Sequence, residues 1–410
     1  MSAEPGEALS RIGSDADGTR RVFLHIGAPK TGTTYLQGIL WRNRQPLRNA
    51  GLHVVGDGRG DHYRAGNDIR GVEFNPDDPG PNWAGSWDLL ADLAVRSEAP
   101  STIISDEHLA ALSPEQVERA VESLAPREVH VIYTTRNLGR LLPSEYQEYV
   151  KHRSQLSYKD WVTRVFSSHN KGPGRWFWLV HDPVDVVRRW TSAVTPERFH
   201  LMTLPPTGSP KDELWIRFAG VVGVDPAAAT DFEVAANDSL GMAEAEVLRR
   251  VNVALPESFP RWHHSGIARD ILATRILSPR SRSGRPALPE PLAREVDEQT
   301  TRNIRGVTES GCDVVGDLRV LEVTESLTEG EAEPTEAEVS DAAIDGIAGL
   351  LVEMGRMRDD RRRSEHRLRR QMRETASLLK YRAKVASLAD RTAVGSALLN
   401  RYRARRSRTR

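Results

Sequence analysis

Apolar positions along the 410-residue chain gather into short strand-like runs separated by stretches with helical spacing. The first run, Arg21-Val-Phe-Leu-His-Ile-Gly27, is rich in strand formers and stops at glycine. A tight turn follows, Ala28-Pro-Lys-Thr-Gly32, and then Thr33 to Trp41 carries Leu36, Ile39 and Leu40 on one helical side. Thr102-Ile-Ile-Ser105 predicts a second buried strand, and Glu128-Val-His-Val-Ile-Tyr-Thr134 a third. Between them Ser113-Pro-Glu-Gln opens a helix that should run to about Leu124, with Ser as N-cap and Pro at the first helical position. A long helix from about Leu138 to Lys151 comes next, with Pro143 expected to kink or delay it. Residues 52–100, rich in Gly, Pro, Asp and Trp, read as loop with a short helix near Trp87 to Val95. Farther on the pattern predicts a helix over Asp182–Trp190, a strand over Arg198–Thr203 and helices over Glu213–Val222 and Ala243–Val253. Ser278 to Pro291 is Pro-, Arg- and Ser-rich and reads as a surface loop.

Strands alternating with helices imply an α/β fold: a central, mainly parallel sheet in a three-layer arrangement with helices on both faces. Ligands of such sheets sit at the C-terminal ends of the strands. The predicted organisation is a disordered leader over 1–20, a main domain over 21–320, an acidic linker over 321–340, a charged helical, coiled-coil-like extension over 341–389 and a basic tail over 390–410. Ile344, Ile347, Leu351, Met354, Leu368, Met372 and Leu379 form an apolar seam in the extension, interrupted between Arg358 and Glu365.

Composition changes this picture little, but charge does. The formal net charge is +0, yet the segment Glu322–Asp345 is acidic without a single Lys or Arg, and the segment Arg356–Arg410 is strongly basic. The apolar seam suits self-association of the helix and the basic end suits peripheral contact with an anionic membrane or polyanionic glycan, and no nucleic acid partner is expected. The single cysteine, Cys312, excludes an intramolecular disulfide and a thiolate-rich zinc site, and it fits a reducing, cytoplasmic setting. No apolar run approaches the roughly 20 residues that span a bilayer. No metal is expected; His263 and His264 are adjacent, so their side chains diverge.

The chemistry concentrates in Gly27-Ala-Pro-Lys-Thr-Gly-Thr-Thr34. A glycine-containing turn from strand to helix offers backbone N–H groups and the positive end of the helix dipole. Lys30 adds a full charge, and Thr31, Thr33 and Thr34 add hydroxyls, so the segment is suited to hold phosphate or sulfate. It is not the nucleotide-triphosphatase loop, in which the Lys follows the second Gly; here Lys30 precedes Gly32.

That order resembles the 5'-phosphosulfate loop of sulfotransferases, in particular bacterial, carbohydrate-type members. A second motif supports it: Arg136-Asn137 closes the third predicted strand, and Ser144 lies eight residues after Arg136. The stretch between them, Leu-Gly-Arg-Leu-Leu-Pro, departs from the family's animal cytosolic pattern. Asn237-Asp-Ser-Leu240 and Val315-Gly-Asp-Leu318 are also similar to bacterial members, and the likeness spans Val22 to Leu318. The resemblance implies a P-loop-like fold and 3'-phosphoadenosine-5'-phosphosulfate as co-substrate. Lys30, Thr31, Gly32, Thr33 and Thr34 would wrap its 5'-phosphosulfate, and Arg136 and Ser144 its 3'-phosphate. An arginine fork suits that second role.

Sulfuryl transfer, like phosphoryl transfer, passes through a loose, charged transition state, so it needs alignment, fixed donors and a base. Lys30 would meet charge on the leaving oxygen. The base would come from Ser105-Asp-Glu-His-Leu109, at the open end of the second predicted strand: Glu107 first, His108 second, with Asp106 as a ligand for the acceptor. Trp83, Trp87, Tyr146, Tyr149, Trp176 and Trp178 are candidates to line a sugar site or the core, and Gly174–Trp178 an acceptor-side or lid segment. The expected acceptor is a hydroxyl of a carbohydrate or glycosylated metabolite. Two other functions remain in view. A nucleotide-dependent kinase on this fold is disfavoured by the order of the loop. A non-catalytic scaffold acting through the C-terminal helix is disfavoured by the intact Lys30, Arg136 and nearby carboxylate.

Overall fold

Strands β1 (Arg21–Gly27), β2 (Leu52–Val54), β3 (Ser101–Ser105), β4 (Glu128–Thr135), β5 (Phe199–Thr203) and β6 (Asp313–Val315) form one sheet in the order β2-β3-β1-β4-β5-β6. Every pairing is parallel. The computed structural model describes residues 18–73, 82–233, 240–280, 287–288, 290–322, 333–389, 397 and 401. Parallel strands need crossovers, and these leave the sheet covered on both faces. β1 records this in its alternation. Val22, Leu24 and Ile26 join one apolar layer with Trp87 and Trp190, whereas Phe23 joins the other with Leu36, Ile39 and Phe218. Each fully buried side chain of this size contributes about 1.5–3 kcal/mol.

The helices of the main unit are α1 (Thr33–Arg42), α2 (Arg44–Asn49), α3 (Arg59–Ile69), α4 (Ser86–Arg96), α5 (Pro114–Glu122), α6 (Leu138–Lys151), α7 (Tyr158–Ser167), α8 (Gly172–His181), α9 (Pro183–Trp190), α10 (Glu213–Val222) and α11 (Met242–Ala254). α1, α2 and α10 cover one face of the sheet; α4, α5 and α9 cover the other. A π-helix, His264–Leu277, and a helix over Glu290–Glu309 precede β6. A helix over Glu336–Ala389 follows. The chain divides into two compact units, Met1–Ala343 and Ile344–Arg410. Among the described residues no helix is long and apolar enough to cross a membrane.

β1 is the switch point. It pairs with β3 on one side and β4 on the other, and their C-terminal ends open onto a common crevice. Gly27 ends β1 with φ 101°, and an added β-carbon there would lie 2.8 Å from the carbonyl oxygen of Glu107. Only a glycine lets the turn after β3 rest against the end of β1.

The predicted strands at 21–27, 102–105, 128–134 and 198–203 correspond to β1, β3, β4 and β5 within a residue or so. The helix opened by Ser113 has both bonds of its capping box: the Ser113 hydroxyl accepts from Gln116 N–H, and Gln116 Oε1 from Ser113 N–H. The structure departs from these expectations in several places. The helix expected near Trp87 to Val95 is α4, but the rest of 52–100 is not mainly loop; it also holds β2 and α3. α3 escapes a periodicity search because it buries polar groups: His62 bonds Val55 O at 2.8 Å and the Ser105 backbone. β6 is only three residues long, and Asp313 at its start receives a hydrogen bond from His200 at 2.7 Å. Pro143 does not delay α6, which starts at Leu138 and continues through it. Finally, Ser278–Arg280 and Glu290–Pro291 are helical rather than loop, with 281–286 and 289 outside the described residues. The last helix begins at Glu336, inside the expected linker, where Val339 and Ala342 are buried. The expected leader over 1–17, the linker core 323–332, Asn237 to Ser239 and nearly all of the basic tail lie outside the described residues.

Gly27→Ala should destabilise the fold clearly more than Gly208→Ala. Gly208 shares a positive φ, 95°, but has open space around its β-carbon position. Backbone strain alone costs about 1–3 kcal/mol, and only Gly27→Ala adds overlap with Glu107. Urea unfolding of the two variants measures the difference; equal losses would mean that the close approach is not tight.

Candidate active site

The loop after β1 is held by its own backbone and by three distant elements. Gly32 occupies the N-cap position of α1 with φ 85°, and no side chain caps the helix. The first-turn N–H groups thus lack a capping oxygen from that residue, the setting in which a helix start receives an anion. Lys30 is itself left-handed, φ 60°. Its carbonyl accepts a hydrogen bond from Arg136 at 3.2 Å, and its Nζ lies 2.9 Å from Glu148 Oε1 on α6. Lys151 approaches the same carboxylate oxygen at 2.9 Å. Burial alone would raise the pKa of Glu148, but the two ammonium groups outweigh it and hold the carboxyl at about 2.

The three threonines of the loop divide their tasks. The Thr31 hydroxyl is buried, bonded to Ala28 O and to Thr134 Oγ1 at 2.5 Å each, so it ties the loop to β4 instead of facing a ligand. The Thr33 hydroxyl donates to Glu107 Oε2. Thr34 lines a cleft with Gln37, Trp41, Arg59, Tyr63, Asp106, Glu107 and His108. Sequence reasoning assigned all three hydroxyls to phosphate; the structure corrects this for Thr31, whose two bonds consume its hydroxyl.

The turn after β3 brings the acid–histidine cluster to the same place. Burial raises the pKa of Glu107, with the Thr33 hydroxyl opposing it. Asp106 accepts from the backbone N–H of His108 at 2.8 Å and meets its Nδ1 at 3.0 Å. Burial favours the neutral ring, but the bond to Asp106 and its charge prevail and raise the pKa of His108. Asp106 is buried beneath α3, where a β-carbon at Gly66 would come within 3.0 Å of its carboxyl.

Arg136 lines a second cavity of about 270 Å³ with Asn137, Arg140, Leu204–Thr207 and Arg319, beyond the ends of β4, β5 and β6. Ser144 sits on α6 one turn before Glu148, so both belong to the helix face turned to the loop. The Ser144 hydroxyl bonds Arg140 O in its own helix at 3.1 Å.

Of the six aromatic candidates, only Trp176 borders this cluster. Its ring lies 6.1 Å from His108, and Arg70 stacks on it at 5.1 Å. Trp87 is fully buried, and Trp178 donates to Val165 O at 2.7 Å in the core. Trp83 donates to Val72 O, Tyr146 to Leu156 O, and Tyr149 packs against Trp161. Gly174–Trp178 is not a lid. It is the interior of α8, packed so closely that a β-carbon at Gly174 would lie 2.0 Å from Ser168 O. His264 bonds Asn252 in the interior, at 2.8 Å. Sequence reasoning missed Arg59, Tyr63 and Glu148. The first two ride on the unread α3; Glu148 was legible as the residue one turn beyond Ser144.

Because the pKa of Glu148 is depressed by folding, its contribution is present above its ordinary 4.5 and is lost as pH falls toward about 2. That contribution is about 3 kcal/mol for a shift of this size. Glu148→Gln should therefore be less stable than wild type at neutral pH, and the two should converge in acid. Urea unfolding across pH measures this; parallel curves would sink the assignment.

No protein-family model and no curated protein matches the chain at a significant level. Among solved structures, the crystal structure of a sulfotransferase from Alicyclobacillus acidocaldarius is similar at 15% sequence identity and a TM-score of 0.36. The match covers 60% of this chain and 95% of that one. A likeness of that extent adds nothing to what the site residues themselves indicate.

Proposed function

We propose that the protein is a sulfotransferase that uses 3'-phosphoadenosine-5'-phosphosulfate to sulfate a hydroxyl of a carbohydrate or glycosylated metabolite. One observation carries this reading: the anion loop, the Arg136 guanidinium and the Glu107 carboxylate are in direct contact. Arg136 bonds the Lys30 carbonyl, and Thr33 bonds Glu107. A phosphosulfate on the loop would have a cation on one side and a candidate base on the other.

The donor supplies an activated sulfuryl group; the chain supplies position and charge. The loop backbone and the start of α1 hold the 5'-phosphate. Lys30 exchanges Glu148 for the bridging oxygen and meets the negative charge that develops there as the sulfur–oxygen bond breaks. Arg136, with Arg140 and Arg319 lining the same cavity, receives the 3'-phosphate. Ser144 joins them by turning its hydroxyl away from Arg140 O. Glu107 takes the proton of the acceptor hydroxyl as its oxygen bonds to sulfur. The raised pKa of Glu107 makes it a better proton acceptor than an exposed carboxylate once it is ionised. His108 is less suited, because Asp106 favours its protonated form. The cleft of Thr34, Arg59, Tyr63, Glu107 and His108, with Trp176 beside His108, is the acceptor side.

Thermal unfolding with adenosine 3',5'-bisphosphate tests the donor site. At a hundredfold excess over Kd the ligand should stabilise wild type by about 2.7 kcal/mol. Arg136→Ala should lose most of that shift; no shift in folded wild type would remove the sulfotransferase reading. Glu107→Gln should keep the shift and lose about 100-fold or more in turnover. Near-normal turnover of Glu107→Gln would pass the role of base to His108.

A further inference from the structure

In the second unit the described part of the last helix carries an apolar face that is left exposed. Ile347, Leu351, Met354, Leu368, Met372 and Leu379 are each more than half exposed. They follow one another in steps of four, three, fourteen, four and seven residues, which keep one heptad register across the whole stretch. The register persists through the interruption, so Arg358, Arg361 and Glu365 occupy seam positions too. A helix that merely lay in solvent would have no reason to hold its apolar residues in phase across a charged gap.

The charged block selects the partner. It lies midway along the seam, with one apolar cluster on each side. In a parallel pair in register, Arg358 would face Arg358 and Arg361 would face Arg361, with Glu365 against Glu365, three like-charge layers in a row. In an antiparallel pair, Arg361 of one copy falls opposite Glu365 of the other. Within one chain Arg361 already pairs with Glu365 at 3.0 Å. Two antiparallel copies therefore bring together two arginines and two glutamates as a ring of alternating sign. The same alignment sets Ile347 against Leu379 and Met354 against Met372, and Arg358 against Leu368, along which its aliphatic stem can lie. Like-charge layers oppose one orientation and the apolar and charged layers together favour the other, which is how seam residues fix partner and direction.

We propose that a second copy of this chain covers the seam, and that the two helices pair antiparallel over 347–379.

Light scattering on the full-length protein at micromolar concentration should give twice the monomer mass of 45.7 kDa. Leu351→Asp should return it to monomer with unchanged ligand-induced stabilisation of the main unit. A monomeric wild type would overturn the proposal. A monomeric wild type that floats with phosphatidylserine vesicles would assign the seam to a lipid surface instead. Orientation is read by cross-linking in a Cys312→Ser background. Ile347→Cys and Leu379→Cys should not oxidise to disulfide dimers separately, because equal positions lie about 48 Å apart at 1.5 Å rise per residue. Mixed, they should cross-link to each other. Efficient self-cross-linking of Ile347→Cys would mean a parallel pair and overturn the orientation. Glu365→Arg should weaken the antiparallel dimer, and adding Arg361→Glu should restore it; an unrestored double variant counts against the alternating ring.

Discussion

The missing side chain at Gly27 is the constraint on which the site depends. With a β-carbon excluded at 2.8 Å, the backbone of Glu107 rests on the end of β1. That contact puts a carboxylate within hydrogen-bonding reach of Thr33, in the first turn of the helix that the anion loop opens. A carboxylate beside an anion site is electrostatically unfavourable. The fold offsets it by burying Glu107, which raises its pKa, and by placing Arg59 of α3, Arg136 just after β4 and Lys151 of α6 around the loop. The proposed proton acceptor and the proposed anion receptor then sit side by side, one after β3 and the other after β1.

Lys30 illustrates the same economy. A half-buried cation without a partner would be costly; Glu148 supplies that partner to Lys30 and pairs with Lys151 through the same oxygen. The pair holds the ammonium group over α6, while Arg136 fixes the backbone of the same residue. In the proposed donor complex an anion would replace one carboxylate with another acceptor, a smaller reorganisation than gathering a lysine from solvent.

Much of this was legible in the sequence, and the rest was not for definable reasons. The strands that flank the site are buried on both faces, so their apolar runs are continuous and easily read. The Pro-Lys-Thr-Gly-Thr-Thr stretch and Arg136 stand at strand ends, where residue type and position point to the same use. α3 was lost because His62, Gly66 and Asn67 are buried through polar contacts and close approach, which no hydrophobic period records. With it went Arg59 and Tyr63. The inward turn of Thr31 and the placement of Trp87 and Trp178 in the core are matters of side-chain direction, and composition is silent on that.

The central position of β1 carries a cost during synthesis. Among the described strands β1 is made first, but its two neighbours, β3 and β4, end at Ser105 and Thr135. At about 5–20 residues per second, the ribosome leaves the edges of β1 unpaired for roughly 5–20 s. Throughout that interval Val22, Phe23, Leu24 and Ile26 belong to a strand with at least one open edge, a configuration prone to pair with another nascent chain. A fold that carries its candidate anion loop on an inner strand therefore leaves the edges of that strand to be shielded until β4 is complete.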